Sequence, residues 1–461
     1  MQPSSLTVLK ISRITCLFVM LLCVQSVHAQ DRAKYVFYFI GDGMGPLQRE
    51  VGQQYLVGVT GDANAKLEMD QLPVQGFLQT HSANASITDS AAAGTALACG
   101  VKTNNGVICM APDKQTKLTT LAEHVHQAGV KVGILTSVTL DHATPACFYA
   151  HQPSRNMVFQ ISQELAASPF AYFAGGGLSG KSANGIDNLQ VAAQNGFHIT
   201  RSRQALIDAK PGQRVIAFNE RMDSDRRPLP WEADRMSNDI SLATFTEHAI
   251  RLLENDKGFF MMVEGGMIDW AGHGNAVRTM AHEVIALDHA IKAALDFYNK
   301  HPNDTLIVIT ADHETGGMQH DGHPNPTYLA SQTTSYDHFK TKLKQLVEKK
   351  ADFKTAYQMA QIHFGIDEQP EKNIAFLQKA WQALLDGQRI VHNHGKNNDF
   401  TEAFLKLSAN AAGYRFTTHG HSAADVPISA IGVGAQHFEG NFDNTQVPRK
   451  IYQIMTGKEM P

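Results

Sequence analysis

The chain has 461 residues, 43% of them hydrophobic and 18% charged, with no low-complexity run. That length can bury the core of one large α/β domain or two smaller ones. A net charge of −4 without a cluster of Lys and Arg argues against nucleic acid as a specific partner, and the 22 histidines raise the question of metal binding.

The first element in the chain reads as a secretory signal. Lys10 and Arg13 precede the apolar run "ITCLFVMLLCVQSV", and "VHA" before Gln30 is an A-x-A-like cleavage site, so residues 1–29 are expected to be removed near Ala29. The apolar run is short for a membrane span. Cys23 follows "MLL" rather than the small residues of a lipid-attachment site, and the C-terminus "IMTGKEMP" lacks an anchor-type tail. Processing leaves 38 basic against 44 acidic residues, a net charge of −6, on a chain read as a soluble exported protein. It also leaves three of five cysteines, Cys99, Cys109 and Cys147, an odd number that requires a free thiol or an intermolecular bridge. A Cys99–Cys109 bridge is one option in an oxidising compartment.

Several short apolar runs then read as buried parallel strands with helical stretches between some of them. "KYVFYFIG" runs into Asp42, and "KVGILTSVTL" into Asp141, His142 and Thr144. "GFFMMV" runs into Glu264, and "DTLIVITA" into Asp312 and His313. Between the first two lies "SITDSAAAGTALACG", where Asp89 and Ser90 head a run of small residues. One reading is a well-capped, tightly packed helix. The other is a nucleophile at a helix N-terminus, where free N–H groups and the dipole favour an anion. "EGGMIDWAGHGN" places Asp269 and His273 at i and i+4, on one helical face, where the pair either grips one metal or lies on the surface. Residues 279–300 carry the clearest helical periodicity. Residues from about 335 to 406, rich in Lys, Gln, Glu and Ala, read as a helical insertion over the sheet rather than a separate domain. "THGHSAADVP" then brings His419 and His421 ahead of a last strand, "VPISAIGVG"; the residues alone do not choose between the two histidines.

Alternating strands and helices predict a three-layer, doubly wound α/β fold with a mostly parallel sheet and helices on both faces. Acids and histidines ending four strands would converge where open α/β sheets hold ligands. This pool suffices for two or three divalent cations: nitrogen and carboxylate ligands suit zinc, while an all-oxygen set suits magnesium.

"FIGDGMG", "TDSAAAGTA", "HATPA…AHQPSR", "VEGGMIDWAGH", "TADHETGG" and "HGHSAADVP" occur in an order that resembles the motif series of the alkaline phosphatases, from about residue 35 to 435. The resemblance implies a single domain over residues 30–461, a helical insertion at about 335–406, and hydrolysis of phosphate monoesters over a broad substrate range. It implies two zinc ions and one magnesium per chain and a homodimer, while the export signal implies a periplasmic or secreted location. Carried over motif by motif, a first zinc would use Asp269, His273 and His421. A second would use Asp42, Asp312 and His313, with Ser90 as the nucleophile that becomes a phosphoserine. Magnesium would use Asp42, Thr144 and Glu264, and Arg155 would bind substrate phosphate, oriented by Asp89. Two such zinc ions, about 4 Å apart, stabilise the entering and leaving oxygens of an in-line displacement.

Two positions depart from some members. His142 stands where an Asp holds magnesium through water; a histidine ligating directly favours zinc or another transition metal as the third ion in place of magnesium. Trp270 stands where a lysine reaches phosphate through water; it either weakens retention of product phosphate or only packs. A phosphodiesterase or phosphonate hydrolase of the same superfamily is the nearest rival. A non-catalytic zinc- or phosphate-binding protein is the rival from another class, but it gives no reason for a serine among metal ligands.

Overall fold

The computed structural model describes residues 32–221, 228–388 and 398–461. The expected export signal and its cleavage site therefore lie outside the described residues. Among the described residues, no helix is long and apolar enough to cross a membrane.

The centre is a ten-stranded sheet. In chain order its strands are β1 (Tyr35–Gly41), β2 (Val74–Gln79), β3 (Lys131–Thr139), β4 (Tyr172–Gly176), β5 (Phe197–Thr200), β6 (Arg214–Phe218), β7 (Phe259–Gly265), β8 (Thr305–Ala311), β9 (Val426–Gly432) and β10 (Gly440–Asp443). Across the sheet they run β10-β2-β9-β8-β1-β7-β3-β4-β6-β5. β1, β7 and β8 are buried along their whole length, as expected where helices cover a parallel sheet. All five strands expected from apolar runs are present. The other five were not legible because they are short or, in β2, alternate buried and exposed residues and carry little apolar signal.

Register gathers the strand ends. Gly41 of β1 lies opposite Ala311 of β8 and Gly265 of β7. Asp42, Asp312 and Glu264 therefore reach one level at the carboxyl edge. β9 alone runs antiparallel, pairing with β8 on one side and β2 on the other. Its reversal brings the loop before it to that same edge. A short antiparallel pairing of Thr315 with His421 then fixes this loop beside the turn after β8.

Four helices or helix groups position the site. α1 (Ser90–Cys99) is buried throughout, and α2 (Met267–His273) follows β7 directly. α3 (Val277–Tyr298) replaces the helix expected at residues 279–300, shifted by two residues at each end. The stretch after residue 335 holds α4 (Tyr336–Glu348), α5 (Phe353–Phe364), α6 (Glu371–Leu385) and α7 (Asp399–Ala411), the last running past the expected boundary at Lys406. No bridge joins Cys99 to Cys109: all three described cysteines are buried free thiols. Their positions satisfy them individually, with Cys109 Sγ donating to the Cys147 carbonyl at 2.8 Å and Cys147 Sγ to the Ala91 carbonyl at 3.3 Å.

Candidate active site

α1 begins where a small-residue helix can be capped. Asp89 is extended at the N-cap, and its carboxylate accepts from the Ala92 N–H at 3.0 Å. The same carboxylate accepts from the Gly106 N–H at 3.0 Å and from Arg155 Nη1 at 3.0 Å. One aspartate thus both starts the helix and holds the arginine. Ser90, the first helical residue, is 2% exposed, and its Oγ lies 3.2 Å from His313 Nε2. Both readings of this stretch therefore describe one object, a tightly packed helix whose first hydroxyl faces a histidine.

His313 sits among carboxylates. Its Nε2 is 3.4 Å from Asp42 Oδ1 and 3.3 Å from Asp312 Oδ2. Asp312 is pinned by the N–H groups of Gly43 and His313 at 3.0 and 2.9 Å. Only glycine fits at 43: φ is +71°, and a Cβ there would stand 2.7 Å from Thr315 Oγ1 and 2.9 Å from the Asp269 Cα.

The i, i+4 pair is not a surface pair. Asp269 is buried on α2, its Oδ2 3.3 Å from His273 Nε2 and its Oδ1 3.7 Å from His421 Nε2. Each imidazole is turned by a backbone carbonyl. His421 Nδ1 donates to Thr88 at 2.8 Å, and His273 Nδ1 donates to His419. Nδ1 holds a proton in both rings, so each Nε2 is the nitrogen turned to Asp269. Against burial, Asp269 raises His273 to about 9; a bound cation would take the Nε2 lone pairs instead. His419 stays outside this group.

The third cluster is Asp42, His142 and Glu264. His142 Nδ1 lies 3.9 Å from Asp42 Oδ2, and Thr144 Oγ1 donates to the same oxygen at 3.5 Å. Glu264 is held by the Thr136 hydroxyl. His142 Nε2 is 3.2 Å from Arg155 Nη2. A guanidinium has only donors, so this contact makes Nε2 the acceptor and leaves the ring proton on Nδ1, towards Asp42. Trp270 flanks the cluster, its ring 6.1 Å from that of His142.

Electrostatics identify what the site wants. Burial, then Asp312, Asp269 and Glu264, push the Asp42 carboxyl well above the usual range. Burial raises Glu264 to about 8 and Asp312 to about 7. Burial holds His313 neutral and lowers His142 to about 3, with Arg155 beside it adding to the shift. Burial works against Asp269 ionising, but His273 and then His421 hold its carboxyl well below the usual range. Asp42 Oδ1, Asp312 Oδ2, Glu264 Oε1 and His142 Nδ1 are buried without a hydrogen bond among the described residues. Buried, unpaired carboxylate oxygens of this kind call for cations.

The residues fit that demand. Three groups each bring ligand atoms within 4.8 Å of one another: Asp269, His273 and His421; Asp42, Asp312 and His313; and Asp42, His142 and Glu264. The first two carry the nitrogen and carboxylate donors that suit zinc, whereas the third mixes two carboxylates with one imidazole. Two supporting residues escaped the sequence reading: Thr136, and Thr315, which donates to Asp269 at 2.5 Å. Thr315 stands inside "TADHETGG", but only the hairpin with His421 reveals its task.

Comparison with known proteins agrees with this geometry. A family model described as alkaline phosphatase matches residues 33–173 and 170–456. Alkaline phosphatase 4 of Bacillus subtilis is 32% identical, with 94% of this chain and 92% of the relative covered. The crystal structure of a cold-active alkaline phosphatase from a psychrophilic Shewanella is 27% identical with a TM-score of 0.78, covering 91% of this chain and 99% of that one. The alkaline phosphatase of the Antarctic bacterium TAB5, solved as a histidine-to-glutamate variant with magnesium in its M3 site, is 25% identical with a TM-score of 0.65 and covers 92% of this chain and 99% of that one.

Proposed function

Since the chain belongs to the alkaline phosphatase family and is a phosphoric monoester hydrolase, we propose that it works through a phosphoserine on Ser90 with three divalent cations in its site. One observation carries this reading: the buried Ser90 hydroxyl lies 3.2 Å from His313, within the grouped carboxylates and imidazoles. Asp269, His273 and His421 would hold one zinc, and Asp42, Asp312 and His313 a second. Asp42, Glu264 and Thr144 would hold the third ion. Bound there, the cations supply Lewis acidity, lowering the pKa of the oxygens they touch and neutralising charge on the phosphoryl group.

The chain's own residues do the rest. Arg155, fixed by Asp89, offers two parallel N–H donors to non-bridging phosphoryl oxygens, a geometry matched to a monoester dianion. Ser90 Oγ, its proton lost to solvent, attacks phosphorus in line; the new P–O bond forms as the ester P–O bond breaks, and the leaving oxygen takes up a proton from solvent and departs as the alcohol. Water then attacks the phosphoserine, its oxygen bonding to phosphorus while the Ser90 P–O bond breaks, and the hydroxyl is restored with release of inorganic phosphate. Ser90 is the first residue of α1, so the positive end of the helix dipole stands at the phosphoryl group it would carry. The elements around the nucleophile grip the phosphoryl group rather than the alcohol, which fits a broad substrate range.

The third ion depends on His142. It can ligate through Nδ1 only after its proton moves to Nε2, which breaks the Arg155 contact. Retention of that contact favours Asp42, Glu264 and Thr144 as an oxygen set for magnesium; its loss favours a transition metal. The reading further places the mature chain, from about residue 30, in the periplasm or outside the cell as a homodimeric single domain with its helical insertion.

The test is turnover of a chromogenic phosphate ester. Activity should vanish with EDTA and return with zinc plus magnesium, and acid quenching should trap phosphate on Ser90. A Ser90→Ala variant that keeps wild-type turnover when fully metal-loaded would sink the phosphoserine.

A further inference from the structure

We propose that the helical insertion is a brace for the first metal group, acting through His419 as a positioning residue; this rests on the metal reading above. The link starts at the ligand. His273 donates Nδ1 to the His419 carbonyl, and His419 returns the contact, its own Nδ1 donating to the His273 carbonyl at 3.0 Å. These reciprocal bonds join the end of α2 to the loop that carries His421, although 146 residues separate the two histidines. Asn275 adds a stitch. In the amide orientation that satisfies its neighbours it donates to the carbonyls of Gly272 and Thr418 and accepts from His419 Nδ1.

The insertion grips this stitched loop at two places. From α7, Glu402 sets Oε2 3.5 Å from His419 Nε2. From α4, Tyr336 packs against Gly274, the residue after His273, where an added Cβ would stand 2.9 Å from the ring. Tyr336 is itself buried, wedged against Trp231 with ring centroids 5.5 Å apart. The C-terminal end of α2, which carries His273, is thus held by elements that contribute no ligand. A histidine ligand is aimed by what its second nitrogen bonds, and loss of such a partner typically weakens metal binding about 10–100-fold. The His419 carbonyl is that partner for His273; Glu402 stands against the His419 ring, and Tyr336 against the residue that follows His273.

The experiment follows metal rather than activity. Zinc-loaded protein is mixed with a chromogenic chelator, and the release phase absent from His421→Ala is assigned to the first group. His419→Ala and Glu402→Ala keep the carbonyl but remove the side chains that hold it, and should release that zinc up to about tenfold faster, leaving the other ions at wild-type rates. His419→Asn, whose amide N–H can still reach the His273 carbonyl, should recover part of the loss. Glu402→Gln serves as the milder variant should either alanine form fail to fold. Release at the wild-type rate in the variants, or acceleration of every ion alike, overturns the brace. A wild-type protein that binds no zinc would instead defeat the metal reading itself.

Discussion

At the scale of single residues, the proposed handling of phosphate turns on Arg155 and Trp270. Arg155 is held by Asp89 at 3.0 Å and is therefore oriented before substrate arrives. Arg155→Ser should lower kcat/KM for a monoester by roughly 100-fold, the scale of lost charge-assisted bonds, and a diester rate much less. Equal losses on both substrates would remove Arg155 from the dianion. Trp270 is half-buried beside His142 and offers phosphate no cation. Trp270→Lys should lower the inhibition constant for inorganic phosphate; an unchanged constant would leave the tryptophan as packing. Asp42, Asp312 and Glu264 were legible because each interrupts or ends an apolar run that could only be a buried strand. His421 was not separable from His419 by residue type. The Thr315–His421 pairing and the carbonyl of Thr88 aim one ring into the site, while the other is turned away to His273's backbone.

At the scale of elements, α3 shows how burial changes a residue's meaning. Its apolar spacing announced a helix, but the periodicity did not distinguish an acid on the wet face from one beneath a neighbour. Glu283 is 4% exposed, and burial raises its carboxyl to about 8 from an ordinary 4.5. Its Oε1 accepts from the Glu232 N–H at 2.7 Å. The folded state therefore favours the protonated acid. That contribution is complete below about pH 4.5 and is lost as pH rises through about 8. Glu283→Gln keeps the acceptor without the ionisation. It should raise the melting temperature by about 2–4 °C at alkaline pH and change it little at pH near the ordinary carboxyl pKa. A difference independent of pH would show that Glu283 does not titrate in this way. The short strands β4, β5 and β6 belong at this scale too. Each is only four or five residues long, so its place in the sheet comes from neighbours rather than from its own pattern.

At the scale of the whole molecule, the site is where distant segments meet. Buried acids arrive from the ends of β1, β7 and β8, and imidazoles from α2, from the turn after β8 and from the loop before β9. Without cations, the unpaired oxygens of Asp42, Asp312 and Glu264 face one another in the interior. Chelation should therefore lower the melting temperature by roughly 10 °C, reversibly on adding zinc and magnesium. Identical melting with and without metal would mean that the ligand groups are not coupled to the fold. The sequence by itself determined the chemistry: apolar runs that must be buried strands, acids and histidines at their ends, a serine heading a helix of small residues, and the motif order of the family. Only the tertiary structure decided which of these meet. The single reversed strand, β9, delivers His421 to the carboxyl edge. Parallel register levels Asp42 with Asp312 and Glu264, and the insertion brings Glu402 to 3.5 Å from His419, beside the group of Asp269, His273 and His421. Side-chain chemistry is written residue by residue, whereas direction, register and the aim of a ring are set by partners hundreds of residues away.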